Sequence, residues 1–165
     1  MATLPQGRCA ECGYDWTEPV ETLVAVVRES PQRYRDLFGE GDGPRARDDG
    51  VWSPREYLWH VVDVLRYGAE RLWSLSLDPG AGLMPWDERV ALSVRDASPM
   101  SAVVGLRAME RAADEWLRAA AETPAGVTAE HPELGPMDRD DVVRRNAHEI
   151  VHHALDIERG LRHQV

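Results

Sequence analysis

Apolar residues recur at helical spacing along most of the chain. Val20, Leu23, Val24 and Val27 form a first stripe, with Thr17 as its predicted N-cap and Pro19 and Glu21 in its first turn. Ser30-Pro31 predicts an interruption, followed by a shorter helical piece over 32–38. "GEGDGPRARDDG" (39–50) is turn-rich and charged and reads as a loop. A second helix opens at "WSPRE": Ser53 caps it, Pro54 takes the first helical position and Glu56 completes a capping box. Val61, Val64, Leu65, Leu72 and Leu75 carry its apolar face to about Leu77. Residues 78–89 break the pattern and 90–97 fit neither period. Ser98-Pro99 predicts the start of a third helix, through Val103, Leu106, Met109, Ala113, Trp116 and Leu117, to Thr123-Pro124. "AGVTAEHPELGP" (125–136) reads as a loop, and Asp138 as the cap of a last helix ending near Arg162.

Four long helices with no run of alternating strand character predict an all-α chain. The natural architecture is a four-helix bundle, in which sites form from side chains on facing helices. Residues 1–16 form a short cysteine-containing extension and residues 17–165 the bundle domain.

Length and composition sharpen this picture. A chain of 165 residues with 43% hydrophobic content fits one domain with a real core. Acidic residues number 29 against 19 basic ones, for a formal charge of −10. That balance argues against nucleic acid or an anionic membrane as partner, because both demand a basic surface. No apolar run approaches ~20 residues, so no membrane span is expected. "MATLPQGRCAECGYDW" lacks a basic start and an apolar core of the secretory kind, so the expected compartment is the cytoplasm. There Cys9 and Cys12, at C-x-x-C spacing, serve as metal ligands or redox groups more readily than as a structural disulfide.

The candidate chemistry lies in the histidines. His148 and His152 are four residues apart, ~40° from each other on one helix face, which is a good bidentate metal geometry. A divalent ion needs a third ligand, and His60 is the best candidate because it lies mid-helix in the apolar "REYLWHVVDVL". His131, in a Pro-flanked loop, and His163, near the C-terminus, read as solvated. "HEIVH" (148–152) also matches the H-E-x-x-H zinc helix of metalloproteases. The continuation "HHALDIERG" has Leu155 where a metzincin needs glycine, few residues follow for a later glutamate ligand, and no upstream sheet is expected. Glu149 projects ~100° from His148, so it reads as exposed and not a ligand.

Three ordered stretches resemble the DinB-like superfamily, which includes YfiT-like proteins and the mycothiol-dependent maleylpyruvate isomerase domain. "GVWSPREYLWHVVDVL" is similar to its W-S-x-x-E-x-x-x-H helix. "NAHEIVHHALDIERG" is similar to its final-helix H-x-x-x-H. "CAECGYDW" resembles an amino-terminal C-x-x-C-G-[FY]-D found in an actinobacterial branch. The resemblance implies a four-helix bundle with a three-histidine divalent site at His60, His148 and His152, holding zinc or nickel with open positions. It also implies that some members move or add low-molecular-weight thiols. The isomerase branch has a glutamate in its last-helix ligand set. His148 and His152 depart from that, so isomerase activity is not carried over.

Cys9 and Cys12 form half of a zinc knuckle. Completing a second, structural zinc needs His153, His131, a carboxylate or another chain; the alternatives are a free thiol pair or a redox pair. Asp63 and Asp156, one turn after His60 and His152, are candidates to accept a ligand's other ring N–H, and equally candidates for ordinary helix ion pairs. Trp59, Trp73, Trp86 and Trp116 are candidates for pocket or core. The expected function is a metal-dependent enzyme acting on a small molecule, with a mycothiol-like thiol as candidate substrate in an S-transfer. Hydrolysis, isomerisation or cyclisation is the outcome if no thiol binds. The alternative is a non-catalytic, metal-stabilised binding or stress-response module. A homodimer is a candidate assembly, because the resemblance implies pairing through helix faces.

Overall fold

The computed structural model describes residues 4–41, 43, 52–87, 90–91 and 101–162. Within them lie four long helices: α1 (Val20–Phe38), α2 (Pro54–Leu77), α3 (Ala102–Glu122) and α4 (Arg139–Arg162). A short 3₁₀ turn (Pro79–Ala81) follows α2, and a hairpin of β1 (Thr128–His131) and β2 (Gly135–Asp138) precedes α4. None of these helices is long and apolar enough to cross a membrane.

The helices form a bundle in which α2 packs on α3 and α4, and α1 packs on the same two. Consecutive α1 and α2 therefore stand diagonally, and both flank α4. The centre is apolar: Leu23, Val27, Leu58, Val61, Leu65, Met109, Trp116, Ile150 and Ile157 are all at most 2% exposed. Polar bonds register the helices against one another. Trp116 Nε1 on α3 donates to Asn146 Oδ1 on α4 at 2.7 Å, and Tyr34 Oη on α1 donates to the Ile150 carbonyl at 2.9 Å.

The start of α2 follows its sequence. Ser53 accepts from the Glu56 backbone N–H at 3.3 Å, and the Glu56 carboxylate accepts from the Ser53 N–H at 2.7 Å, with Pro54 leading the helix. Asp138 likewise accepts from the Asp141 N–H at 2.9 Å, while Asp141 accepts from the Asp138 N–H at 3.1 Å.

Four expectations need correction. The first helix starts at Val20 with Pro19, not Thr17, at its N-cap, because Thr17 is turned toward the Asp15 carboxylate. It also runs unbroken through Pro31. A proline there cannot donate to the Val27 carbonyl one turn back; the Ser30 hydroxyl, 1% exposed, donates to that carbonyl at 2.8 Å instead. The third helix is capped by Ser101, whose side chain accepts from the Val104 N–H, while Ser98-Pro99 lies outside the described residues, as do residues 92–97 and most of the loop over 39–50. The stretch 125–136 is not all loop. Thr128 pairs with Asp138 and His131 with Gly135 in an antiparallel ladder. Its strands are four residues long and contain Gly135 and Pro136, so they carry a turn signature instead of an alternating one.

Two substitutions test this packing. Ser30→Ala should strand the buried Val27 carbonyl and lower stability by about 1–3 kcal/mol. Adding Pro31→Ala should recover part of the loss by restoring a donor. Gly68 on α2 lies against the Trp116–Asn146 bond: a β-carbon there would stand 2.0 Å from Asn146 Oδ1 and 2.8 Å from Trp116 Nε1. Gly68→Ala, favourable in an open helix, should here cost about 1–3 kcal/mol or more. Urea-denaturation midpoints check both; an unchanged midpoint in either would contradict the packing described.

Candidate metal centres

Helix α4 carries two interleaved i,i+4 pairs, His148/His152 and Glu149/His153. One residue of offset turns the second pair ~100° from the first, so the two face different neighbours. The first meets the N-terminal extension; the second meets α2.

On the α2 side, His60 Nε2 lies 3.3 Å from Glu149 Oε2, and His153 Nε2 lies 3.0 Å from the same oxygen. These three donor atoms lie within 4.8 Å of one another. His60 is 1% exposed, and its Nδ1 finds no hydrogen-bond partner among the described residues. The other nitrogen of His153 donates to Asp156 Oδ2 at 3.0 Å. Burial disfavours a charged Glu149, but hydrogen bonds from His148, His153 and His60 outweigh it and hold the carboxyl far below its usual range. Burial also works against a charged His153, but the Asp156 and Glu149 carboxylates prevail and raise it to about 9.

Aromatic rings enclose this cluster. Trp86 stacks on His60 at 5.4 Å between centroids, Trp52 tilts against His60 at 5.2 Å, and Tyr57 stacks on His153 at 5.1 Å. Trp86 also stacks on Tyr67, and both line a cavity of about 650 Å³ together with Asp63, Pro85 and Asp87. The cavity therefore abuts the cluster through a shared ring. Of the tryptophans singled out, Trp86 lines the cavity, Trp59 and Trp116 are buried in the core, and Trp73 is partly buried and donates to Glu115.

On the other face, Cys9, Cys12, His148 and His152 bring their ligand atoms within 4.8 Å of one another, with Cys9 Sγ 3.9 Å from His152 Nδ1. The extension reaches α4 through specific bonds. Tyr14 Oη donates to the Arg144 carbonyl at 2.8 Å, Arg144 Nη1 donates to the carbonyls of Trp16 and Glu18, and Trp16 stacks on His148 at 4.6 Å. The Cys9 thiol is lowered to about 5, first by the Cys12 backbone N–H, then by the His148 side chain, the Glu11 backbone N–H and the His152 side chain; burial raises Cys12.

The expected set of His60, His148 and His152 is thus divided. His60 meets Glu149 and His153, while His148 and His152 meet the cysteines. Glu149, set aside in the sequence as off the stripe, is the residue around which the α2-side cluster gathers. The legible signal for it was the spacing Glu149-x-x-x-His153, the same i,i+4 step one residue on. His153, expected with Cys9 and Cys12, faces His60 instead. Asp156 serves His153 at 3.0 Å and stands 3.8 Å from His152. Asp63 pairs with Arg66 at 3.3 Å. His131 is 5% exposed, not solvated: its Nδ1 accepts from the Glu133 and Leu134 N–H groups and stabilises the hairpin turn. His163 lies outside the described residues. Of the H-E-x-x-H members, both histidines gather with the two cysteines while Glu149 belongs to the other cluster, unlike a zincin helix, where the glutamate works beside the ion that the histidines hold.

Comparison with known proteins agrees with the architecture. YfiT from Bacillus subtilis, described as a probable metal-dependent hydrolase with an unusual four-helix bundle topology, superposes with a TM-score of 0.71 at 14% identity, over 96% of this chain and 93% of that one. At that identity the likeness speaks for the fold. No curated protein matches the chain at a significant level. The sequence profile of the DinB superfamily matches residues 15–157, from just after the cysteine pair to the last turns of α4. With four helices in this arrangement and a profile match over most of its length, the chain belongs to the DinB superfamily.

Proposed function

We propose that the chain is a metal-dependent enzyme in which His60, Glu149 and His153 hold one divalent ion, zinc or nickel, next to the aromatic cavity. The observation that carries this reading is the convergence of two imidazole Nε2 atoms on one carboxylate oxygen, at 3.3 and 3.0 Å, beside aromatic rings of which Trp86 lines the cavity. A divalent cation satisfies such a donor set better than water does. With the proton of His153 displaced on binding, two imidazoles and one carboxylate would make the His₂Glu ligand type, which leaves a position open for a reactant. Asp156, on the far nitrogen of His153, fixes that ring's tautomer and orientation, as outer-shell carboxylates do for ligating histidines.

When bound, such an ion supplies Lewis acidity, polarising a carbonyl or making water or a thiol a better nucleophile at neutral pH. The protein's own residues do the rest. Trp86 and Tyr67 offer flat apolar surface to a small molecule, and Trp52 and Tyr57 shield the histidines from bulk water. With Glu149 as a ligand, the last-helix set would carry the glutamate that the thiol-dependent isomerase branch has and from which the expected His148 and His152 depart. That supports a low-molecular-weight thiol, mycothiol-like, as nucleophile in an S-transfer, with water as nucleophile giving a hydrolase instead.

The test is to load the purified chain with zinc or nickel and to assay a panel of small electrophiles with thiols and without. Metal-dependent turnover that is lost in Glu149→Gln and His60→Ala supports the proposal. A bound ion at these residues with no exchangeable position and no turnover would instead favour a metal-stabilised binding module. Metal affinity gives an independent readout. Asp156→Asn should weaken binding by ~10–100-fold, and Glu149→Gln, which removes a ligand, by more than that. Equal affinity in Glu149→Gln and the parent chain, by competition with a chromophoric chelator, would contradict the ligand set.

A further inference from the structure

We propose that Cys9, Cys12, His148 and His152 bind zinc as a closed, four-ligand structural site that clamps the amino-terminal knuckle onto α4. The site uses none of the three residues of the open centre and involves two cysteines that precede the superfamily match, so either proposal can fail alone.

The backbone of the extension is shaped for the task. Cys9 N–H donates to the Tyr14 carbonyl at 2.8 Å and Gly13 N–H to the Cys9 carbonyl at 2.9 Å, so the chain reverses around the two thiols. Gly13 makes that reversal at φ +73°, a left-handed conformation that glycine adopts without strain. The result is a C-x-x-C turn with both sulfurs toward α4. Zinc bonds of about 2.3 Å to sulfur and about 2.0 Å to nitrogen imply S···N separations of roughly 3.5 Å in a tetrahedron. The Cys9 Sγ to His152 Nδ1 distance of 3.9 Å is close to this, and all four donors fall inside 4.8 Å.

The two rings are also oriented as ligands. His148 Nε2 is buried and finds no hydrogen-bond partner among the described residues, while its Nδ1 faces Glu149 at 3.6 Å. His152 points Nδ1 at Cys9, while its Nε2 faces Glu11 at 3.7 Å and Asp156 at 3.8 Å. Each imidazole thus keeps one nitrogen for the ion and turns the other to a carboxylate. Two thiolates balance the charge of Zn²⁺, and four protein ligands leave no position for a substrate. The zinc would hold an extension that otherwise rests on Tyr14, Trp16 and Arg144.

Cobalt substitution of the full-length chain reads this site directly, because only thiolate ligands give an intense near-ultraviolet charge-transfer band. The band should appear in the parent chain and in His60→Ala, fall to about half or less in Cys9→Ser and in Cys12→Ser, and vanish when both cysteines are replaced. A second measurement needs no variant. In the zinc-loaded chain both cysteines should resist iodoacetamide, and chelation should speed their labelling more than about 10-fold. Absence of the band in the parent chain, labelling indifferent to the chelator, or a Cys9–Cys12 disulfide in chain purified under zinc-replete reducing conditions would overturn the proposal.

Discussion

A carboxylate on a bundle helix is costly to withdraw from water unless something pairs with it, and in this chain Glu149 is paired on three sides. Its Oε2 stands 3.3 Å from His60 and 3.0 Å from His153, and its Oε1 stands 3.6 Å from His148. That one group joins α2 to α4 and reaches the ring that faces the extension. The placement of α4 between α1 and α2 is what makes this reach feasible. Tyr34 and Asn146 hold that placement from the apolar side, through bonds to Ile150 and Trp116.

The helical repeat then separates two kinds of chemistry. Donors at 148 and 152 share one stripe and donors at 149 and 153 the next, ~100° around the axis. The stripe toward α2 has three ligand groups, a carboxylate behind one of them, and an aromatic cavity alongside. The stripe toward the extension meets Cys9 and Cys12, so that four candidate ligand groups gather there. By the ordinary distinction between catalytic and structural zinc, the first has the form of a reactive centre and the second that of a clamp. Asp156 stands behind both, 3.0 Å from His153 and 3.8 Å from His152.

Much of the scaffold was legible in the chain. Ser53, Pro54 and Glu56 announce the start of α2, and the apolar periodicity gives four helices and an all-α bundle. Pro31 misled because its local rule is sound and is overridden by one side chain, Ser30, which serves the carbonyl that proline cannot. The hairpin was hidden because its strands are only four residues long and the second begins Gly135-Pro136, which carries no alternation. His60, His148 and His152 stand out in the sequence as candidate ligands, but periodicity alone cannot say which neighbour a stripe meets. Both i,i+4 pairs were present in "HEIVHH". Choosing between them required the position of His60 across the bundle and of Cys9 and Cys12 beside it.

The central claim is that α4 serves two separate metal centres, one sharing Glu149 and His153 with His60, the other sharing His148 and His152 with the cysteines. Anomalous diffraction at the zinc edge, from crystals of the zinc-loaded chain, tests it most directly. The account predicts two peaks, on the two neighbouring stripes of α4, one bounded by His60, Glu149 and His153 and one by Cys9, Cys12, His148 and His152. A single peak coordinated jointly by His60, His148 and His152 would contradict it.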